Sequence, residues 1–230
     1  MKRLLKWFDD LLAPRGVKCL CCDLESEGEY LCPDCRQALK ALQYSVEDAW
    51  RGDHCCAYLY DGVAKQLVIN LKEQCQADAA QVLADGMYDL LKHANLPVNT
   101  VMAWVTMPKK RRVQRGIDHG YELCKALSER SGLPVKQLLQ RTGRVHTQRG
   151  LSREKRLHNL SGSILCNETL NGPVLLVDDV MTTGTTAATC AEVLVKAGAT
   201  HVYVITATRA TIAAERIDMR KVDLYGLHTP

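Results

Sequence analysis

The 230 residues include a single phenylalanine, and Phe, Trp and Tyr together make up only 5% of the chain. Proteins that track single-stranded nucleic acid stack its bases on aromatic rings, so a broad stacking surface is not expected. No apolar run reaches the roughly 20 residues that a bilayer demands. Lys2, Arg3, Lys6, Asp9 and Asp10 interrupt the first apolar residues, so an export signal is not expected either. Two common phosphate loops are absent: neither G-x-x-x-x-G-K-[ST] nor G-x-G-x-x-G occurs. The net charge of +4 is too small to define a nucleic-acid binder by itself.

Cysteine, in contrast, is plentiful. Eleven cysteines without an export signal point to a reducing cytoplasm, where clustered thiols mean metal more often than disulfides. Cys19 and Cys22 form one C-x-x-C pair, and Cys32 and Cys35 form a second. A two-residue gap lets a tight turn aim both thiolates at one tetrahedral ion, and two such turns close a structural Zn²⁺ site. Gly28 and Pro33 suit the turns. Cys21 competes for the place of Cys22, and a redox-active pair is the alternative chemistry. The other cysteines lack this spacing and are expected to fill the core.

Ahead of this segment, Leu4, Trp7, Phe8, Leu11 and Leu12 share one face of an expected amphipathic helix. Such a stripe packs on its own protein, a partner or a membrane surface. From about residue 44 onward, apolar strands alternate with helical segments. Strands are expected at "CAYLYDG", residues 101–107, "VLLVD" and "HVYVITA", and the helix between the last two ends at Gly198. This alternation specifies an α/β protein: a parallel sheet flanked by helices. The division expected is residues 1–43 for the helix and zinc finger, and 44–230 for the main domain.

The stretch "VLLVDDVMTTGTT" carries the chemistry. Two adjacent acids, Asp178 and Asp179, end an apolar run, and Thr182, Thr183, Gly184, Thr185 and Thr186 lead into a helix. Unpartnered N–H groups at a helix start, with Thr hydroxyls and a Gly to turn the backbone, make a phosphate cradle. The acids can accept from sugar hydroxyls or meet hydrated Mg²⁺. Phosphate, hydroxyls and metal together describe a phosphorylated ribose.

The same stretch resembles the phosphoribosyl diphosphate (PRPP) signature of type I phosphoribosyltransferases. That resemblance implies that Asp178 and Asp179 hold the ribose hydroxyls and that residues 182–186 wrap the 5′-phosphate. Pyrophosphate needs further cations. Lys109, Lys110, Arg111, Arg112 and Arg115 follow the expected 101–107 strand, in a stretch read as a basic loop. A second basic stretch carries Arg141, Arg144, Arg149, Arg153, Lys155 and Arg156 and is expected to form a lid that excludes water.

Motif order over nearly the whole chain is similar to the ComF/GntX family. The matching positions are Tyr60, Gly62, Lys72, Pro108, Arg112, Arg115, Gly116, Arg141, Thr147, Gln148, Leu151, Arg156 and Asn159. The family's usual Arg-Gly-Phe-Asn-Gln is here Arg115-Gly116-Ile117-Asp118-His119, and a Gly stands at 150. The resemblance implies a phosphoribosyltransferase-like fold and a part in natural competence, through uptake and handling of single-stranded DNA for transformation or nutrient use. It also implies the DNA-uptake machinery as a partner. Three activities follow: transfer from PRPP to an unassigned nucleophile, sequence-independent DNA handling, and PRPP sensing. A general base is not evident; a loop histidine such as His119 or His146 is more often solvent-facing. Residues 209–230 are a candidate hood.

Overall fold

The computed structural model describes residues 18–26, 28–141 and 164–210. Seven strands are present among them: β1 (Trp50–Arg51), β2 (His54–Leu59), β3 (Val101–Trp104), β4 (Leu139–Arg141), β5 (Ile164–Cys166), β6 (Val174–Met181) and β7 (Val202–Arg209). Five of them form one sheet in the order β1-β2-β7-β6-β3. β2, β7, β6 and β3 run parallel, so their carboxyl ends share one edge of the domain. β1 is a short antiparallel edge. β4 and β5 pair as a separate antiparallel ribbon.

The helices are α1 (Pro33–Ala41), α2 (Val46–Ala49), α3 (Gly62–Glu73), α4 (Asp78–Leu91), α5 (Lys109–Arg115), α6 (His119–Ser131) and α7 (Thr185–Lys196). Both faces of the sheet are covered, which is why β6 opens on an unbroken apolar run rather than an alternating one. On one face Leu67 and Leu71 of α3, Leu83 and Met87 of α4, and Leu123 and Leu127 of α6 pack with Leu175 and Val177. On the other, Ala187, Cys190, Ala191 and Leu194 of α7 pack with Val174 and Leu176. Successive β6 side chains therefore enter opposite layers, as the pleat requires.

The α/β parallel sheet expected from the alternation is observed, and several boundaries differ. β3 stops at Trp104 instead of continuing to residue 107. β6 runs on through both acids to Met181, because β7 keeps pairing with it as far as the Met181–Arg209 register. The stretch read as a basic loop contains α5, a short helix ended by Gly116 at φ 70°. Six of its seven residues are Lys, Arg or Gln, which have good helix propensity even without an apolar stripe, and this explains the difference.

Of the cysteines expected in the core, Cys55, Cys56, Cys124 and Cys190 are buried, whereas Cys75 is exposed and Cys166 half-buried. The cysteine-rich segment shares its hydrophobic cluster with the sheet: Cys19, Leu31, Cys32 and Leu39 pack in the same layer as α3. The side-chain amide of buried Asn70 on α3 donates to the Leu20 carbonyl. The N-terminal amphipathic helix, residues 142–163 with Arg144, His146, Thr147, Gln148, Arg149, Leu151, Arg153, Lys155, Arg156 and Asn159, and nearly all of the hood lie outside the described residues. Among the described residues, no helix is long and apolar enough to cross a membrane.

Candidate functional site

The central strand β6 ends where the Thr-rich turn begins. Gly184 adopts φ 73°, a left-handed conformation that glycine enters without a Cβ penalty, and stands directly before α7. Gly184, at the cap of α7, offers no side chain to the N–H groups of its first turn, which suits an outside acceptor there. Thr182 and Thr183 are exposed, and Gly184, Thr185 and Thr186 are half-buried. The Thr183 and Thr185 hydroxyls lie 2.9 Å apart. This turn has the backbone donors, hydroxyls and helix polarity that suit a phosphate.

The two acids occupy unlike surroundings. Asp179 is 3% exposed. Its Oδ1 lies 2.6 Å from Lys72 Nζ and its Oδ2 lies 2.7 Å from His119 Nε2. Burial works to raise this carboxyl, but His119 and Lys72 outweigh it and hold Asp179 below the usual carboxylate range. Asp178 is half-buried, and its Oδ1 accepts the N–H of Asp179 at 2.9 Å. Burial, and then the Asp179 charge beside it, push the Asp178 carboxyl well above that range. Two neighbouring acids are thus driven apart in ionisation, a pattern concentrated at functional sites.

The cations distribute unevenly. Arg111 and Arg112 of α5 are exposed, whereas Arg115 pairs with Glu73 of α3. Lys109 opens α5. Arg141, at the end of β4, donates from Nε to the Thr106 carbonyl at 2.9 Å. Burial lowers its guanidinium below the usual range; Arg111 adds to this and Asp178 opposes it, which brings both within electrostatic reach of Arg141. Arg156 falls outside the described residues. His119, expected to face solvent, instead begins α6 and is tucked against Asp179. The legible signal was its place in the departed Arg-Gly motif. Its partner Asp179, sixty residues on, was not.

At the other end of α3, Cys19, Cys22, Cys32 and Cys35 bring their Sγ atoms within 4.8 Å of one another, and Cys22 and Cys32 are 3.6 Å apart. A tetrahedral ion with bonds of about 2.3 Å needs sulfurs about 3.8 Å apart, so the four thiols can hold a metal ion. Burial raises the Cys19 thiol, yet the N–H groups of Cys32, Cys21 and Cys22 bring it down to about 6, toward the thiolate that metal binding requires. Cys21 is outside the cluster: its Sγ points to the Val63 carbonyl of α3 at 4.0 Å, which settles its competition with Cys22.

The chain is 28% identical over 141 residues to the DNA utilization protein YhgH of Salmonella typhi, and equally to that of Salmonella typhimurium. The resemblance to the ComF/GntX family is borne out. The match takes in 60% of this chain and 62% of each relative, so it spans about three-fifths of the curated relatives' length. No protein-family model matches the chain. Among solved structures, glutamine PRPP amidotransferase from B. subtilis aligns with 61% of this chain and 30% of its own, at 18% identity and a TM-score of 0.42. Leishmania donovani UMP synthase aligns with 62% of this chain and 24% of its own, at 15% identity and a TM-score of 0.36.

Two expectations follow. Cys35→Ser should weaken metal binding by about 100-fold or more, since even changes outside the ligand shell cost 10–100-fold. Cys21→Ser should retain the full metal content, and elemental analysis of the purified variants reads both. The second concerns pH. A carboxyl raised in the folded state opposes folding once the pH exceeds the unfolded value of about 3.9. Asp178→Asn should therefore stabilise the fold at pH 7 by about 1 kcal/mol. The gain should vanish as the pH falls below about 4, where Asp178 is protonated in both states; urea melts at the two pH values measure it.

Proposed function

We propose that this chain is a phosphoribosyltransferase-like protein that binds PRPP with Mg²⁺ at the carboxyl end of β6 and serves in DNA utilization. The observation that carries the reading is the sequence of parts along β6 and α7: an acid pair, an exposed Thr turn, Gly184 at positive φ and an uncapped helix start. Ligands of parallel sheets sit at this edge. The 5′-phosphate would take the N–H groups and hydroxyls of residues 182–186, and the sugar hydroxyls would meet the acid pair. Arg111, Arg112 and Arg141 would face the pyrophosphate. Mg²⁺ would supply charge neutralisation on that pyrophosphate. Arg115 contributes less than the sequence pattern implies, because Glu73 already neutralises it.

Such a pocket stabilises a developing positive charge at C1 of the ribose while pyrophosphate leaves, which is the electrostatic requirement for transfer to a nucleophile. A sensor of PRPP would need the same pocket, and release of pyrophosphate separates the two activities. The DNA role is supported by the name of the Salmonella relatives. For the cysteine cluster we assign Zn²⁺, the ion that four thiolates at this spacing favour. A cytoplasmic location fits four thiols gathered at metal-ligand spacing, chemistry that suits a reducing compartment.

Titration calorimetry of PRPP with Mg²⁺ tests the site. Wild type should bind, and Asp178→Asn should bind at least about 10-fold more weakly while remaining folded by circular dichroism. Absence of binding by folded wild type would rule the reading out. For DNA, filter binding of unrelated single strands should give equal affinities that fall about 10-fold or more between about 50 and 200 mM salt. Tight binding indifferent to salt would contradict a backbone-tracking mode.

A further inference from the structure

Side chains of consecutive strand residues project to opposite faces. Leu175 and Val177 enter the layer beneath α3, α4 and α6, whereas Leu176 enters the layer beneath α7. Asp179 continues the first set, and its contacts agree. Lys72 in the last turn of α3 meets one carboxylate oxygen, and His119 at the first position of α6 meets the other. The Thr208 hydroxyl on β7 donates to the Asp179 carbonyl at 2.9 Å. Two helices and a neighbouring strand therefore converge on one residue. Asp178 is bound only lightly by comparison: its Oδ1 accepts the Asp179 N–H.

We propose that Asp179, Lys72 and His119 form a clamp that fixes β6 where the Thr turn departs, with Lys72 and His119 as positioning residues and Asp178 as the one acid of the pair that meets a sugar hydroxyl. The proposal rests on the sugar-phosphate reading given above and assigns different tasks to two acids that sequence pattern treats alike. The physical reason is the cost of rearrangement. For Asp179 to reach a hydroxyl it would release a cation, and Lys72 Nζ is largely enclosed, with its side chain 24% exposed. An ammonium left unpaired at such a site costs more than one hydrogen bond to a sugar returns. His119 Nε2 stands 2.7 Å from Asp179 Oδ2, within donor reach although not aligned as a hydrogen bond, and among the described residues its Nδ1 is buried without a hydrogen-bond partner. A glutamine amide can supply the same donor, so Gln at this position preserves the clamp and Ala does not.

The test measures binding of ribose 5-phosphate and its 2-deoxy and 3-deoxy counterparts by calorimetry. For the wild type, removal of the hydroxyl met by Asp178 should weaken binding roughly tenfold. In Asp178→Asn that difference should shrink below about twofold, because the partner is gone. In Asp179→Asn it should persist, although overall affinity and melting temperature fall. His119→Ala should weaken all three sugars alike, and His119→Gln should restore them, a rescue that loss of packing alone would not show. Should Asp179→Asn fail to fold, His119→Ala and Lys72→Met, tested against the same sugars, carry the comparison. A hydroxyl effect that survives in Asp178→Asn and vanishes in Asp179→Asn overturns the clamp, as does unchanged affinity in His119→Ala. No binding of any sugar phosphate by folded wild type instead overturns the sugar-phosphate reading itself.

Discussion

The arrangement of the molecule depends on the buried contact among Lys72, Asp179 and His119. An ionised carboxylate in the interior carries a desolvation penalty of several kcal/mol unless cations face both oxygens. Here Lys72 and His119 arrive from two different helices, so the carboxylate is tolerated only when α3 and α6 are both docked on the sheet. A contact of this kind contributes little net stability compared with apolar packing, but it makes one packing arrangement much better than its alternatives. The strand bearing the acids is in turn held on both sides, by β7 along its whole length and by β3 over its first half.

α3 extends the consequence across the domain. Near its start, the Val63 carbonyl faces the Cys21 thiol, and further along Asn70 reaches the Leu20 carbonyl beside the cysteine cluster. In its last turn Lys72 meets Asp179, and the next residue, Glu73, meets Arg115 of α5. One helix of twelve residues thus packs against the four-cysteine segment and the acid pair at once. The cysteine segment is too small to bury a core by itself. It completes one by joining the layer under α3, and an ion held there would set the position of the same helix that supplies the cation for Asp179.

Much of this was legible beforehand. Two C-x-x-C pairs bring four thiols together in the structure, because short turns determine local direction without help from distant residues. The helix that stops just before Gly198 and the strand before the Thr turn follow from local propensity and apolar patterning. What escaped was of two kinds. α5 lacks an apolar stripe, so its helical character was hidden beneath its charge. His119 lies far from β6 in sequence, and no period or spacing reveals which of many polar side chains will turn toward it.

Local residue pattern alone specifies the layered α/β order, the four-thiol cluster and a phosphate-suited turn after two acids. Each rests on short-range chemistry: pleat, helical period, turn geometry and ligand spacing. The division between the acids arises only on folding, with Asp179 enclosed by Lys72 and His119 while Asp178 accepts the Asp179 N–H. Folding also decided that Arg115 is neutralised and that Cys21 is turned away from the cluster. Charges take their character from burial and from partners dozens of residues away, and those are set only when helices dock on a sheet.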